Sequence, residues 1–171
     1  MPERQTVERA KRDLRRGRSA STAAGEFVRE EMHHIRAGKH GARSAKQAIA
    51  IGLSKARRAG VPLKAPASGS RRTKRSARRD YKTGQHMRKP RAPSRKRGAA
   101  MTRALKREPR RAASHRALAS QAHRSARVRG RASRVAAARK AVRTKGPALR
   151  RAAARKAART RRRNRGHGRR R

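Results

Sequence analysis

The sequence predicts an all-α protein: a short helical module of two or three helices (residues 1–63), followed by a long, largely disordered basic tail (residues 64–171). Before residue 64, apolar residues recur every three or four positions, as on amphipathic helices. Six of the eight acidic residues lie before residue 32. The tail holds 41 basic and two acidic residues, and so charged a segment buries too little apolar surface to offset its ordering entropy.

The first predicted helix runs from about Pro2 to Arg16. Proline suits the first turn of a helix, where the missing N–H group has no intrahelical partner to lose. Gly17 follows at the position where helices commonly end in a left-handed residue. The apolar stripe of this helix is thin and consists of Val7, Ala10 and Leu14.

The second predicted helix spans about Thr22 to Ala37. A cluster of serine, alanine and threonine precedes it, and Gly38 ends it. Its charged residues lie away from a single apolar face at helical spacing. That face consists of Ala24, Phe27, Val28, Met32 and Ile35.

The third predicted helix follows Ser44, and Gln47 completes a capping box with that serine. Gly52 lies in mid-helix, where glycine costs about 1 kcal/mol relative to alanine, so we expect another helix to approach closely there. Gly60 ends the helix. We expect a hairpin of helices two and three with helix one loosely docked, a marginal domain that folds with a partner such as a second copy or nucleic acid.

The tail is of low complexity. "AAARKAVRT" at 136–144 returns as "AAARKAART" at 152–160. Four apolar residues recur at intervals of seven, too few for a coiled-coil seam, namely Val128, Val135, Val142 and Leu149. Alanine and arginine favour helix, but we expect charge repulsion to prevent helix formation until phosphate neutralises the arginines.

The net charge of +48 predicts a polyanionic partner, most simply nucleic acid and in particular double-stranded DNA. The chain contains no run of about 18 apolar residues that would span a bilayer, and no bulky apolar face that would insert into a membrane surface. The first residues lack the apolar core of a secretory signal. We therefore expect a cytoplasmic protein located at the nucleoid, with no small-molecule substrate.

Three groups of basic residues are the predicted phosphate ligands. The first group surrounds the start of helix three, where free N–H groups favour an anion, although the alternative is a capped loop whose basic residues face water. The second group lies at the end of helix three and the third in the tail. In order, the groups are Lys39, His40, Arg43 and Lys46; Lys55, Arg57 and Arg58; and Arg71, Arg72, Lys74, Arg75, Arg78, Arg79, Arg139, Lys140, Arg143, Arg155, Lys156, Arg159, Arg161, Arg162 and Arg163.

Histidines near Glu30 and Glu31 raise the question of a metal site. His33 and His34 are adjacent and point about 100° apart on a helix, so they cannot easily share one ion. We expect these histidines and His40 to be solvated or to face phosphate, and we expect no metal and no cofactor. No set of residues at informative spacing indicates catalysis, so the sequence predicts a protein that is not an enzyme.

Residues 22–61, "TAAGEFVREEMHHIRAGKHGARSAKQAIAIGLSKARRAGV", together with the opening "MPERQTVERAKRDLRRG", strongly resemble a bacterial family of small basic proteins. That domain is uncharacterised, and its members are catalogued as DNA-binding or plasmid-stabilisation proteins. The resemblance covers about the first third of the chain. The tail separately resembles, in composition alone, the Ala/Lys/Arg arms of linker histones and bacterial histone-like proteins.

The function predicted from these observations is non-specific binding and compaction of DNA by a nucleoid-associated, histone-like protein. Two alternatives remain open. The first is an RNA- or ribosome-associated basic protein, because phosphates of either polymer attract the same charges. The second is an adaptor whose helical module binds a protein partner.

Overall fold

The computed structural model describes residues 2–89 and 94–168, with side chains to residue 163, and these residues form helices and no strand. The all-α prediction is therefore confirmed. The elements are α1 (Arg4–Arg15), α2 (Ala20–Arg36), α3 (Ala45–Arg58), α4 (Arg71–Gly84), α5 (Arg95–Arg107), a 3-10 helix (Arg110–Ala113), α6 (His115–Val128), α7 (Gly130–Thr144) and α8 (Pro147–Gly168).

The prediction of a largely disordered tail is wrong for the part of it that the structure describes. Five α-helices and the 3-10 helix lie beyond residue 63. Alanine and arginine are among the strongest helix formers, whereas each like-charged pair one turn apart costs only a few tenths of a kcal/mol. Helix propensity therefore outweighs the repulsion that we expected to prevail. Residues 90–93 and 169–171 of the predicted tail lie outside the described residues.

The capping residues of the first three helices act as the sequence predicts, except that the Gln47 side chain accepts from the Arg43 N–H and not from the Ser44 N–H that the capping box requires. Gly17, Gly38 and Gly60 end α1, α2 and α3 with φ of 70°, 77° and 91°, in the left-handed region that glycine adopts without strain. The Ser44 hydroxyl accepts a hydrogen bond from the Gln47 N–H at 3.2 Å. The ends of α1, α2 and α3 and the start of α3 are thus fixed by local interactions.

The chain forms two compact units, which comprise residues 1–121 and residues 122–171. In the first unit, α2 and α3 pack antiparallel, since Ala48 lies in one apolar cluster with Ile35 and Ala56 lies in another with Ala24. Gly52 marks the closest approach of the two helices. A Cβ atom at this position would come within 2.8 Å of the Val28 Cα, which confirms the predicted close packing.

Helix α1 is firmly docked rather than loosely docked. One face of it is buried against α2, with Thr6 and Ala10 at 0% and 1% exposure and Asp13 at 8%. Asp13 accepts a hydrogen bond from Arg18 at 2.9 Å. The cluster that α1 completes consists of Ala10, Ala23, Ala24, Phe27, Ala56 and Val61.

Helix α4 covers part of α3, although its residues belong to the segment that was predicted to be a disordered tail. Asp80 is buried and its Oδ2 accepts a hydrogen bond from the Ser54 hydroxyl at 2.6 Å. Gly84 lies against the backbone of Arg57 so closely that a Cβ atom would overlap the Arg57 carbonyl. The pKa of Arg57 is lowered by burial, and the charge of Asp80 offsets part of that shift.

The 3-10 helix covers the other end of the α2–α3 pair. Ala112 and Ala113 are buried in a cluster with Met32, Ile35 and Ala48. The compact unit therefore continues well beyond residue 63, because small residues of the predicted tail fill gaps that the first three helices leave open.

Backbone hydrogen bonds hold the segment before the 3-10 helix in place. The Gly41 N–H donates to the Leu105 carbonyl at 2.8 Å, and the Ala42 N–H donates to the Pro109 carbonyl at 3.3 Å. The Arg36 Nε donates to the Ala113 carbonyl at 2.9 Å. These contacts join residues more than sixty positions apart.

Within the second unit, α7 and α8 expose almost all of their described side chains. The four residues that recur at intervals of seven are exposed as well, at 40–89% of their surface, and they are Val128, Val135, Val142 and Leu149. Across the described ranges, every helix is too short or too polar to traverse a lipid bilayer.

Candidate nucleic-acid interface

The basic helices, α7 and α8, lie in the unit that carries the higher density of positive charge. Residues 122–171 include 21 arginines and lysines and no aspartate or glutamate. Every predicted phosphate ligand in these two helices is exposed, namely Arg139, Lys140, Arg143, Arg155, Lys156, Arg159, Arg161, Arg162 and Arg163.

Positive charge surrounds most of the circumference of the basic helices. Residues nine positions apart on a helix lie on opposite sides, because each residue advances by about 100°. Arg131 and Lys140 are so placed on α7, and Arg150 and Arg159 on α8. With 22 residues, α8 is about 33 Å long, close to the length of one turn of B-form DNA.

Helix α4 carries a one-sided basic surface. Its predicted ligands Arg71, Arg72, Arg75, Arg78 and Arg79 are exposed, and Lys74 is half-buried. The opposite side of the helix packs on α3. This helix therefore combines a structural face with a charged face.

The loop before α3 does not assemble its four predicted residues around one phosphate site. Lys39, Arg43 and Lys46 are exposed, but Lys39 Nζ lies 3.4 Å from a carboxylate oxygen of Glu3. The His40 ring is half-buried and faces inward. The Arg43 N–H donates to the Gln47 side chain at 2.9 Å, so this amide is already satisfied.

Two predicted ligands at the end of α3 have internal partners. Lys55 Nζ lies 2.6 Å from Glu31 Oε2. Arg57 is buried and donates to the carbonyl groups of Leu63 and Lys64 at 3.1 and 3.4 Å. Arg58 is exposed. The local sequence could not separate these roles, because the partner of Lys55 lies on α2 and those of Arg57 depend on the path of the chain after α3.

An acid–histidine cluster lies where the N-terminus, α2 and the loop before α3 meet. It comprises Glu3, Glu30, Glu31, His34 and His40. Glu30 and Glu31 are buried, with 4% and 0% exposure. A hydrogen bond with His34 is the main cause that lowers the pKa of Glu3 from its ordinary 4.5, and Lys39 adds to the effect. His33 points to solvent, as the spacing of adjacent histidines requires.

The basic residues of α5 were not among the predicted phosphate ligands. These side chains are exposed and extend the charged surface of the first unit. The basic run that opens this helix was the signal that could have identified them. They are Arg95, Lys96, Arg97, Arg103, Lys106 and Arg107.

Comparison with known proteins gives no match: no family model, curated protein or solved structure corresponds to this chain.

Proposed function

We propose that this protein binds double-stranded DNA without sequence preference and compacts it at the bacterial nucleoid. The observation that carries the proposal is the exposure of the basic helices in a unit that contains no acidic residue. Each neutralised phosphate releases a condensed counterion, and this entropy gain drives association. The exposed arginines of α4 supply further phosphate contacts.

Arginine suits such contacts because its planar guanidinium donates two parallel hydrogen bonds to phosphate oxygens. Phosphate contacts fix position on the duplex but carry no sequence information. A recognition helix concentrates its base-reading side chains on the face that enters the major groove. On α8 the basic side chains instead occupy most of the circumference, which supports non-specific binding.

Compaction requires that one protein contact two duplexes or two segments of one duplex. Arg150 and Arg159 lie on opposite sides of a helix that is about 10–12 Å across with its side chains. Two phosphate backbones can therefore lie along α8 at the same time. This supports bridging rather than simple coating.

RNA is the competing polymer, and a competition experiment separates the two. Full-length protein is bound to labelled duplex DNA and challenged with unlabelled duplex or with structured RNA of equal phosphate content at several salt concentrations. We expect the duplex to compete at least as well as the RNA at every salt concentration. Preferential displacement by RNA would assign the protein to RNA instead.

Bridging is tested with two duplexes, one carrying biotin and the other a fluorophore. Streptavidin beads that hold the biotinylated duplex should recover the fluorescent duplex only when the protein is also present. The matched variants convert Arg150 to Gln alone, or Arg150 and Arg159 together, and the double variant should lose more bridging than binding. Equal losses of bridging and binding would contradict the two-sided arrangement.

A further inference from the structure

The acid–histidine cluster contains three side chains of metal-ligating type from two different elements. Glu31 and His34 belong to α2, and His40 belongs to the loop before α3. One ligand atom from each of them lies within 4.8 Å of the other two. Adjacent positions on the helix separate His33 from His34. The fold instead pairs His34 with His40, and the centroids of these two rings are 6.3 Å apart.

The hydrogen bonds behind the two rings define which nitrogen is free to bind a cation. His40 Nδ1 lies 3.1 Å from the Gly41 carbonyl oxygen, which can only accept, so Nδ1 donates. In the neutral ring, Nε2 then carries a lone pair, and it lies 3.4 Å from Glu31 Oε1. A lone pair that faces a carboxylate oxygen is unfavourable, so either a ring proton or a metal cation must lie between them.

His34 repeats this arrangement with its nitrogens exchanged. Its Nε2 lies 2.8 Å from Glu3 Oε1 and donates to that carboxylate. Its Nδ1 is then the lone-pair nitrogen of the neutral ring and lies 4.0 Å from Glu30 Oε1. Histidines that bind metals commonly donate their second nitrogen to a carboxylate or a backbone carbonyl, and both rings are held in this way.

The buried carboxylates are incompletely satisfied by the protein itself. Lys55 Nζ is 2.6 Å from Glu31 Oε2 and 3.9 Å from Glu30 Oε1. Among the described residues, Glu31 Oε1 and Glu30 Oε1 are buried and have no hydrogen-bond partner of suitable geometry. Buried unpaired carboxylate oxygens are costly, and Glu31 Oε1 lies 3.4 Å from His40 Nε2.

We propose that Glu31, His34 and His40 bind one divalent transition-metal cation of the zinc type. Two imidazole nitrogens and one carboxylate oxygen form a ligand set that zinc accepts, with water in the fourth position. Zinc–ligand bonds of about 2.0–2.1 Å place tetrahedral ligand atoms about 3.3 Å apart. The three side chains must therefore move closer together, and His40 can do so because it lies on a loop.

The bound metal would connect the loop before α3 to α2. In the same loop, the N–H groups of Gly41 and Ala42 donate hydrogen bonds to the carbonyl groups of Leu105 and Pro109. The metal would thus stabilise the loop to which the segment around Leu105 and Pro109 is hydrogen-bonded. This inference does not depend on DNA binding.

The first experiment measures Zn²⁺ binding to the tag-free full chain by calorimetry after dialysis against chelator. We expect one ion per chain, and we expect H34A and H40A each to weaken binding at least about tenfold. His33→Ala is the matched control, since this exposed histidine lies on the same helix, and its affinity should equal that of the original protein. Absence of binding, or equal affinity in H40A, would overturn the proposal.

Nitrogen-15 spectra of the histidine rings decide the question even if a variant does not fold. In the original protein, Zn²⁺ should shift the signals of His34 Nδ1 and His40 Nε2 and leave His33 unchanged. If both rings carry two protons at neutral pH and Zn²⁺ does not move them, they pair with the carboxylates as imidazolium ions. That result would overturn the metal site.

Discussion

The Cα atom of Gly41 faces the carbonyl oxygen of Glu108 so closely that a Cβ atom added there would overlap it. Close approach, and not an unusual backbone angle, is what requires glycine here. The Gly41 N–H also donates to the Leu105 carbonyl at 2.8 Å. One residue in the loop before α3 thus holds a segment that is sixty-seven positions away.

Replacing Gly41 with alanine should destabilise the first unit by about 1–3 kcal/mol, because the backbone of Glu108 must move to admit the methyl group. Thermal unfolding followed by circular dichroism measures the effect. Gly98→Ala is the control, since nothing lies within 4 Å of a Cβ atom at Gly98. A melting temperature for G41A equal to that of G98A would contradict the docking of this segment.

Alanine at Gly52 should destabilise the packing of α2 on α3. The added Cβ atom would lie 2.8 Å from Val28 Cα and 3.1 Å from the Phe27 carbonyl oxygen, and we expect a loss of about 1–3 kcal/mol. Gly25, in α2, has open space around it, so Gly25→Ala should stabilise the protein by up to about 1 kcal/mol. Urea unfolding of both variants provides the measurement, and effects of the same sign would show that the helices do not pack closely at Gly52.

The hydrogen bond between Ser54 and Asp80 should stabilise the docking of α4 on α3. A hydrogen bond to a charged group contributes about 1.5–3 kcal/mol. A double-mutant cycle with Ser54→Ala and Asp80→Ala measures the coupling between the two side chains. Strictly additive effects would mean that Asp80 acts through Arg57 or through burial alone.

The carboxylate of Glu3 should make the folding stability of the protein depend on pH. His34, from α2, and Lys39, from the following loop, lower the pKa of Glu3 below its ordinary 4.5, while Glu30 accepts a hydrogen bond from its backbone amide. The contribution of the Glu3 carboxylate to folding stability is therefore fully present above pH 4.5. It is lost as the pH falls through the lower pKa that Glu3 has in the folded protein.

The measurement compares the original protein with Glu3→Gln in urea between pH 7 and pH 3. The original protein should be more stable at pH 7, and the difference should shrink below pH 4.5. A difference that stays constant or grows on acidification would show that the carboxylate charge of Glu3 is not what stabilises the N-terminus.

The first three helices could be predicted from sequence because their determinants are local. Ser44 caps α3 through the Gln47 amide, and Gly17 and Gly60 adopt the left-handed conformation that ends a helix. Gly52 indicated a close contact because glycine is costly in mid-helix. Each inference needed only the spacing of neighbouring residues.

The docking of later segments could not be predicted in the same way. Apart from Asp80, the buried residues of the 3-10 helix and of α4 are small, namely Ala112, Ala113, Ala77 and Gly84, and small residues are also common in exposed basic segments. A signal was nevertheless present. The two acidic residues of the predicted tail, Asp80 and Glu108, both lie where the chain returns to the first three helices.

The histidine pairing was missed for a related reason. Adjacent residues on a helix point in different directions, which correctly excluded a shared ion for His33 and His34. His40 reaches His34 only because Gly38 ends α2 and the chain turns back. A tertiary contact of this kind depends on the loop path and not on helical spacing.

If the basic helices provide the phosphate contacts, removing their charges should weaken the salt dependence of DNA binding. One variant converts four basic residues of α8 to Gln, and a charge-matched control converts four exposed basic residues of α1. Both keep good helix formers and the same net charge. The substituted residues are Arg155, Lys156, Arg159 and Arg162 in α8, and Lys11, Arg12, Arg15 and Arg16 in or just after α1.

For the original protein, the logarithm of the binding constant for duplex DNA should fall steeply with the logarithm of salt concentration. Each lost phosphate contact reduces that slope by about 0.9. The α8 variant should therefore show a slope smaller by up to about 3.6, and the α1 control should change it by less than about 1. Equal slopes for the two variants, or no measurable binding of duplex DNA by the original protein, would show that the basic helices do not provide the phosphate contacts.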